Sequence, residues 1–158
     1  MIAIKEAQEL TMENLLSFRG KVTQQQMQVE MVKISETLQS LCVKKNGPIA
    51  TATYSVEQSD EGQIMDIEIL VPLDKKVVLP NRYAFKPMVK LVNALCVRHV
   101  GHPGTITNTI NALNEYIVKY NKQVITATYN VTVKDAKTEA EIKDMIFDLY
   151  VGCNPCVV

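Results

Sequence analysis

The chain has 158 residues, enough for one domain, since a chain of this size buries roughly 70% of its unfolded surface on folding. Seventeen basic residues balance seventeen acidic ones, so no global field draws the protein to nucleic acid or to anionic lipid. No apolar run approaches membrane-spanning length, and charges interrupt "MIAIKEAQEL" where a signal peptide would be apolar; a cytoplasmic protein is expected.

The first predicted strand is "NLLSFRGKV" (14–22). A helix follows, because Met27, Met31, Ile34, Leu38 and Leu41 recur at a 4-3-4-3 spacing that makes one apolar stripe. Thr23 with Gln26 three residues on is a capping-box pattern at its start, and "NGP" (46–48) supplies a stop. Two strands come next, "TATYSV" (51–56) and a run from Met65 to Val71, joined by a turn at "EQSDEGQ" (57–63). The segment that follows has two prolines, two aromatics and no clear period. It reads as a long connection (about 74–92) that drapes over something.

The series then repeats. "NALCVRHVG" (93–101) echoes the first strand at a distance of 79 residues, with Asn14/Asn93, Leu16/Leu95 and Arg19/Arg98 matching. Ile106, Ile110, Leu113, Ile117 and Tyr120 reproduce the helix stripe at the same distance. Pro103 sits where a first-turn proline is tolerated. "TATYNV" (126–131) then differs from "TATYSV" in one letter, a turn is expected at 134–141, and "DLYVG" (148–152) answers "EILVP" (68–72). The changes in spacing fall in turns, where insertions are tolerated. The expected architecture is a single α+β domain built from duplicated strand–helix–strand–strand units. Repeat one covers about 14–73 and repeat two about 93–153. Two helices lie on one face of an antiparallel sheet, with a groove on the other.

Strand alternation assigns the faces. Met65, Ile67, Ile69 and Val71, with Met145, Phe147, Leu149 and Val151, should lie under the helices, joined by Leu16, Phe18, Leu95 and Val97. Ala52, Tyr54 and Val56 are expected to point the same way, making Tyr54 and Tyr129 scaffold. The open face would then carry Ser17, Arg19, Cys96, Arg98, Asp66, Glu68, Leu70, Asp148 and Tyr150. It is either a groove or a solvated surface whose ion pairs contribute little.

Four cysteines do not form a disulfide framework in a chain of this size. Cys153 and Cys156 with His99 and His102 supply zinc-ligand types, but not at a recognised finger spacing. No metal and no cofactor are expected. His99 and His102 read as polar turn residues.

The stretch "ALCVRHVGHPGTITNTINAL" (94–113) resembles the strand, R-h-x-G-P turn and helix of the GyrI-like family, the effector-binding fold also attached to multidrug-responsive transcription regulators. "ATYNVTVKD" (127–135), "FDLYVGC" (147–153) and "MDIEILVPL" (65–73) resemble its later strands, the last bearing an acid. The resemblance implies a groove between the repeats that binds small, often cationic and aromatic molecules, with a buried acid compensating their charge. Mapped by motif, that acid is Glu68 in the first repeat and Asp148 in the second. Tyr150 would be a wall, and Tyr83 and Phe85 in the connection would close over it. Gly104 stands where the family commonly has an aromatic. Arg19 and Arg98 would offset the acids and favour a zwitterionic or anionic ligand over a purely cationic one.

The expected role is therefore a stand-alone small-molecule-binding protein that senses or sequesters its ligand. Too few residues precede the first repeat for a helix-turn-helix, so direct nucleic-acid contact is not expected. Two alternatives stay open. One is a small hydrolase using Glu68 as base or nucleophile with help from Tyr150; the other is a protein–protein adaptor. The sequence is also compatible with a homodimer.

Overall fold

The computed structural model describes residues 3–60 and 62–154; Cys156, part of the C-x-x-C pattern, lies outside them. The elements run β1 (Ile4–Val22), α1 (Gln24–Ser40), β2 (Ala50–Ser59), β3 (Gly62–Pro72), β4 (Ala84–Val100), α2 (Ile106–Lys119), β5 (Val124–Lys134) and β6 (Ile146–Cys153), with short 3-10 turns at Pro103–Thr105 and Glu139–Asp144. Strand–helix–strand–strand thus occurs twice. Both β1 and β4 begin about ten residues before their repeats were expected to start, so residues 84–92 of the supposed connection are strand. Residues 12–89 form one compact unit, and residues 3–11 with 90–154 form the other.

In the unit of residues 12–89, β3 is central and pairs antiparallel with β1 on one side and β2 on the other. The α1 stripe packs on one face, with Ile34 and Leu38 against Leu16, Ile67, Ile69 and Val71. The helix begins with the expected capping box, in which Thr23 accepts from the Gln26 amide at 3.2 Å and Gln26 accepts from the Thr23 amide at 2.9 Å. It ends earlier than "NGP" suggested. Leu41 is the C-cap, and Cys42 takes the left-handed conformation (φ 55) that reverses the chain.

In the second unit β6 is central, between β4 and β5. Leu113 is buried against Leu95, Val97, Leu149 and Val151, with Ile106, Ile110 and Ile117 beside it. Tyr120, expected to complete the stripe, is the exposed C-cap and stacks instead on Tyr116, with ring centroids 4.5 Å apart. His99 is buried beneath the start of α2. Its ring nitrogens lie 2.7 Å from the Thr109 hydroxyl and 3.1 Å from the His102 carbonyl, and it stacks on Phe147. This histidine ties the helix start to the sheet.

The matched asparagines have a shared backbone role. Asn14 and Asn93 both have φ of 52°, in the left-handed region that asparagine tolerates better than most residues. Each sits inside a long strand and bends it. The Asn14 carbonyl accepts from the Leu73 amide at 2.7 Å, and the Asn93 side-chain amide donates to the Cys153 carbonyl at 3.3 Å. A β-branched residue cannot hold that conformation cheaply. Asn14→Val and Asn93→Val should each destabilise the protein by about 1–2 kcal/mol in denaturant melts, while the glycine variants stay close to wild type.

Candidate functional site

Both acids singled out from the sequence are buried, Glu68 at 3% and Asp148 at 8% relative exposure. The two acids are therefore not solvated, whereas Arg19 and Arg98, their neighbours on the same face, are exposed. Ser17 and Leu70, on the same face as Glu68, are buried as well.

Ahead of the register shift in β2, and in β5, the middle strands face the other way from expectation, whereas Val56 pairs with Met65 and keeps the expected helix side. Ala52 pairs with Glu68, and Tyr129 pairs with Tyr150; directly opposed residues share a face of the sheet. Ala52, Tyr54 and Tyr129 therefore belong to the acid-bearing face, and Thr51 and Thr53 to the helix face. Apolarity could not reveal this, because alternation sorts faces only when one of them is wet. A register shift at Thr53/Ser55 also re-aims Tyr54.

Around Glu68 the compensation is complete. Its carboxylate accepts from the Ser17 hydroxyl at 2.5 Å, the Lys86 ammonium at 2.5 Å and the Tyr54 hydroxyl at 3.3 Å. Burial alone would push this acid up, but Lys86, Ser17 and Tyr54 outweigh it and hold the carboxyl below the ordinary glutamate range. Arg19, directly across from Glu68, reaches diagonally to Asp66 instead, with two hydrogen bonds of 3.0 and 3.1 Å. Its guanidinium lies 3.7 Å from the centre of the Tyr54 ring, a cation–π arrangement. Sequence reasoning missed Lys86 because the strand that carries it was read as a connection.

Tyr83 does not close over this face. It packs among the α1 core residues, edge-on to Phe18, and donates its hydroxyl to the buried Glu30 at 3.0 Å. Arg82 reaches the same carboxylate at 2.5 Å. These two residues fasten the true connection to α1. Phe85 is half-buried within β4.

In the second unit, Arg98 grips Asp148 through Nε at 2.8 Å and the terminal nitrogen at 2.9 Å, a bidentate pair. The Asp148 hydrogen bonds raise the Arg98 pKa further. Next to it, Cys96 and Tyr150 are cross-strand partners. Burial and the neighbouring Cys96 drive the Tyr150 phenol up to about 12, and burial with Asp148 pushes the Cys96 thiol up. An open pocket of about 750 Å³ is bounded by this group. Cys96, Arg98, Asp148 and Tyr150 form one wall; Ala3, Lys5 and Gln8, at the start of β1, another; His99, Val100 and Thr109 complete it. The structure thus gathers Asp148, Tyr150 and Arg98 as expected and adds Lys5, Gln8 and Cys96. The parity of Cys96 with Arg98 had already put that thiol on this face.

No cluster of three or more metal-ligating side chains occurs among the described residues, and no helix among them is long and apolar enough to cross a membrane. No family model matches the chain, and no curated protein matches it. Solved structures do. The C-terminal domain of EcmrR is 12% identical over 99% of this chain and 98% of that domain, with a TM-score of 0.73. EcmrR in its complex with DNA is 13% identical over 99% of this chain, with a TM-score of 0.74, and this chain spans only 58% of that protein. A conserved protein from Listeria innocua is 14% identical over 97% of this chain and 92% of its own length, at a TM-score of 0.60. At such identities the likeness is one of fold. The chain has an α+β, GyrI-like fold, of which the EcmrR C-terminal domain is a solved example.

Two outcomes follow from these environments. Lys86→Met leaves the buried Glu68 charge without its cation, so Glu68 will favour its protonated form in the folded state. The melting temperature should fall near neutral pH, and the deficit relative to wild type should shrink as acid protonates Glu68 in both proteins. Tyr150, with its folded-state pKa raised, contributes stability that is complete below the ordinary tyrosine range and lost as pH rises toward about 12. Tyr150→Phe should flatten the alkaline loss of stability and remove the latest component of the phenolate absorbance titration.

Proposed function

We propose that this protein is a small-molecule-binding module that senses or sequesters its ligand in the pocket beside Asp148. The observation that carries this reading is a buried Asp148 carboxylate held by the exposed Arg98 guanidinium on the wall of an open pocket of about 750 Å³, flanked by Tyr150 and Cys96. That volume suits a small ligand. A fixed, oriented charge pair with a neutral phenol beside it offers both acceptors and donors at little reorganisation cost. Glu68 is satisfied by three internal donors, so its unit serves as scaffold in this reading. The raised Cys96 and Tyr150 pKa values keep both groups protonated at neutral pH, which favours reversible binding over nucleophilic chemistry.

A thermal-shift screen of small polar and zwitterionic compounds should yield stabilising ligands. Asp148→Asn should change the affinity of the best of them by roughly tenfold or more, because it removes the carboxylate that orients and neutralises Arg98 at the pocket wall. Asp66→Asn and Glu68→Gln, both in the other unit, should leave its affinity unchanged. Equal affinity in the wild type and the Asp148→Asn protein would remove the pocket from consideration.

A further inference from the structure

The two units hold matching acids but unequal numbers of cations per acid. In the unit of residues 12–89, two cations meet two carboxylates, Arg19 with Asp66 and Lys86 with Glu68. In the other unit the position equivalent to Asp66 is Ile146, since Lys21 pairs with Asp66 and Val100 with Ile146 in corresponding registers. Arg98 therefore has only Asp148 and commits both of its donors there. Lys5 is left over. It sits in the leading stretch of β1, as Lys86 sits in the leading stretch of β4, and it lines the pocket. Yet it makes no ion pair among the described residues. Its neighbour Glu6 is occupied by Lys122. The charged pocket-lining side chains are thus Lys5 and Arg98 against Asp148 alone.

The backbone supplies a second, independent observation. Ala3, Lys5 and Gln8 all line the pocket, a spacing of two and then three that regular alternation forbids. The extra residue is accounted for by Ala7, whose φ of 54° lies in the left-handed region. Alanine adopts that region only at a cost, and a bulge there re-aims the side chains around it. The strain turns Gln8 to the same side as Lys5.

We infer that the pocket selects small molecules bearing an oxyanion group, a carboxylate or a phosphate, with Lys5 as its charge partner and, beside it, the one Gln8 amide hydrogen left after the other is donated to the Glu6 carbonyl. The inference rests on the binding role proposed above and specifies its ligand class. Arg98 does not share the task, because Asp148 already neutralises it. Lys5 is a specificity determinant, and its exposure and its lack of an ion pair among the described residues make it replaceable without harm to the fold.

The test is isothermal titration with four probes of similar size: benzoate, phenyl phosphate, benzyl alcohol and benzyltrimethylammonium. Benzoate or phenyl phosphate should bind at least roughly tenfold more tightly than benzyl alcohol, and which of them binds better identifies the oxyanion. Added salt should weaken that preference. Lys5→Met should bring the anions to the level of benzyl alcohol, and Lys5→Arg should retain most of the selectivity. A preference for benzyltrimethylammonium, binding without regard to charge, or undiminished anion selectivity in Lys5→Met would overturn the inference while leaving a ligand site in place. Failure of every probe to bind would count against both the inference and the binding role.

Discussion

Each unit buries a carboxylate on the sheet face turned away from its helix, and a buried charge without partners would cost several kcal/mol. Much of the surrounding arrangement answers that constraint. Ser17, Lys86 and Tyr54 converge on Glu68, and Arg98 forks onto Asp148. Lys86 can reach Glu68 because β4 extends well before its repeat begins, and the matching extension of β1 places Lys5 on the lining of the pocket that Asp148 also bounds. The long strands, bent at Asn14 and Asn93, are the means by which charge is delivered to each site.

The two strand–helix–strand–strand units can be compared position by position. Ser17, Asp66 and Leu70 in one unit correspond to Cys96, Ile146 and Tyr150 in the other. The first set closes its site, since a small hydroxyl donates to Glu68 and Asp66 draws Arg19 away. The second opens it. A bulky phenol and a thiol replace Leu70 and Ser17, a cation is freed by the loss of the Asp66 equivalent, and a pocket remains. The two units thus surround their buried acids differently, a contrast that identical units could not show.

Much of the architecture was legible because it rests on local rules. Helix stripes, the Thr23 capping box, the hairpin turns and the rows under the helices all follow from periodicity and short-range hydrogen bonding. The acids were found by parity within strands already assigned. The failures have a common origin. Tyr54 and Tyr129 read as helix-side residues because they are apolar, yet the opposite face buries Ser17, Glu68, Leu70, Tyr129 and Asp148 while leaving Tyr54 exposed, so apolarity does not distinguish the faces. Tyr83 was assigned to a lid because its segment has no period; its hydroxyl instead meets Glu30, a buried acid on α1 that the helix stripe gave no reason to suspect.

The sequence by itself determined the duplicated unit, its helices and strands, and the two strands that would bear the acids, since these depend on the spacing of residues along one chain. Only the tertiary structure decided which cations those acids meet, which face each tyrosine takes, and that Lys5 makes no ion pair among the described residues. Those outcomes depend on strand register, on a register shift at Thr53/Ser55 and on a left-handed alanine, and on side chains from distant segments competing for the same carboxylates. The alternation of letters along any single strand contains none of that competition.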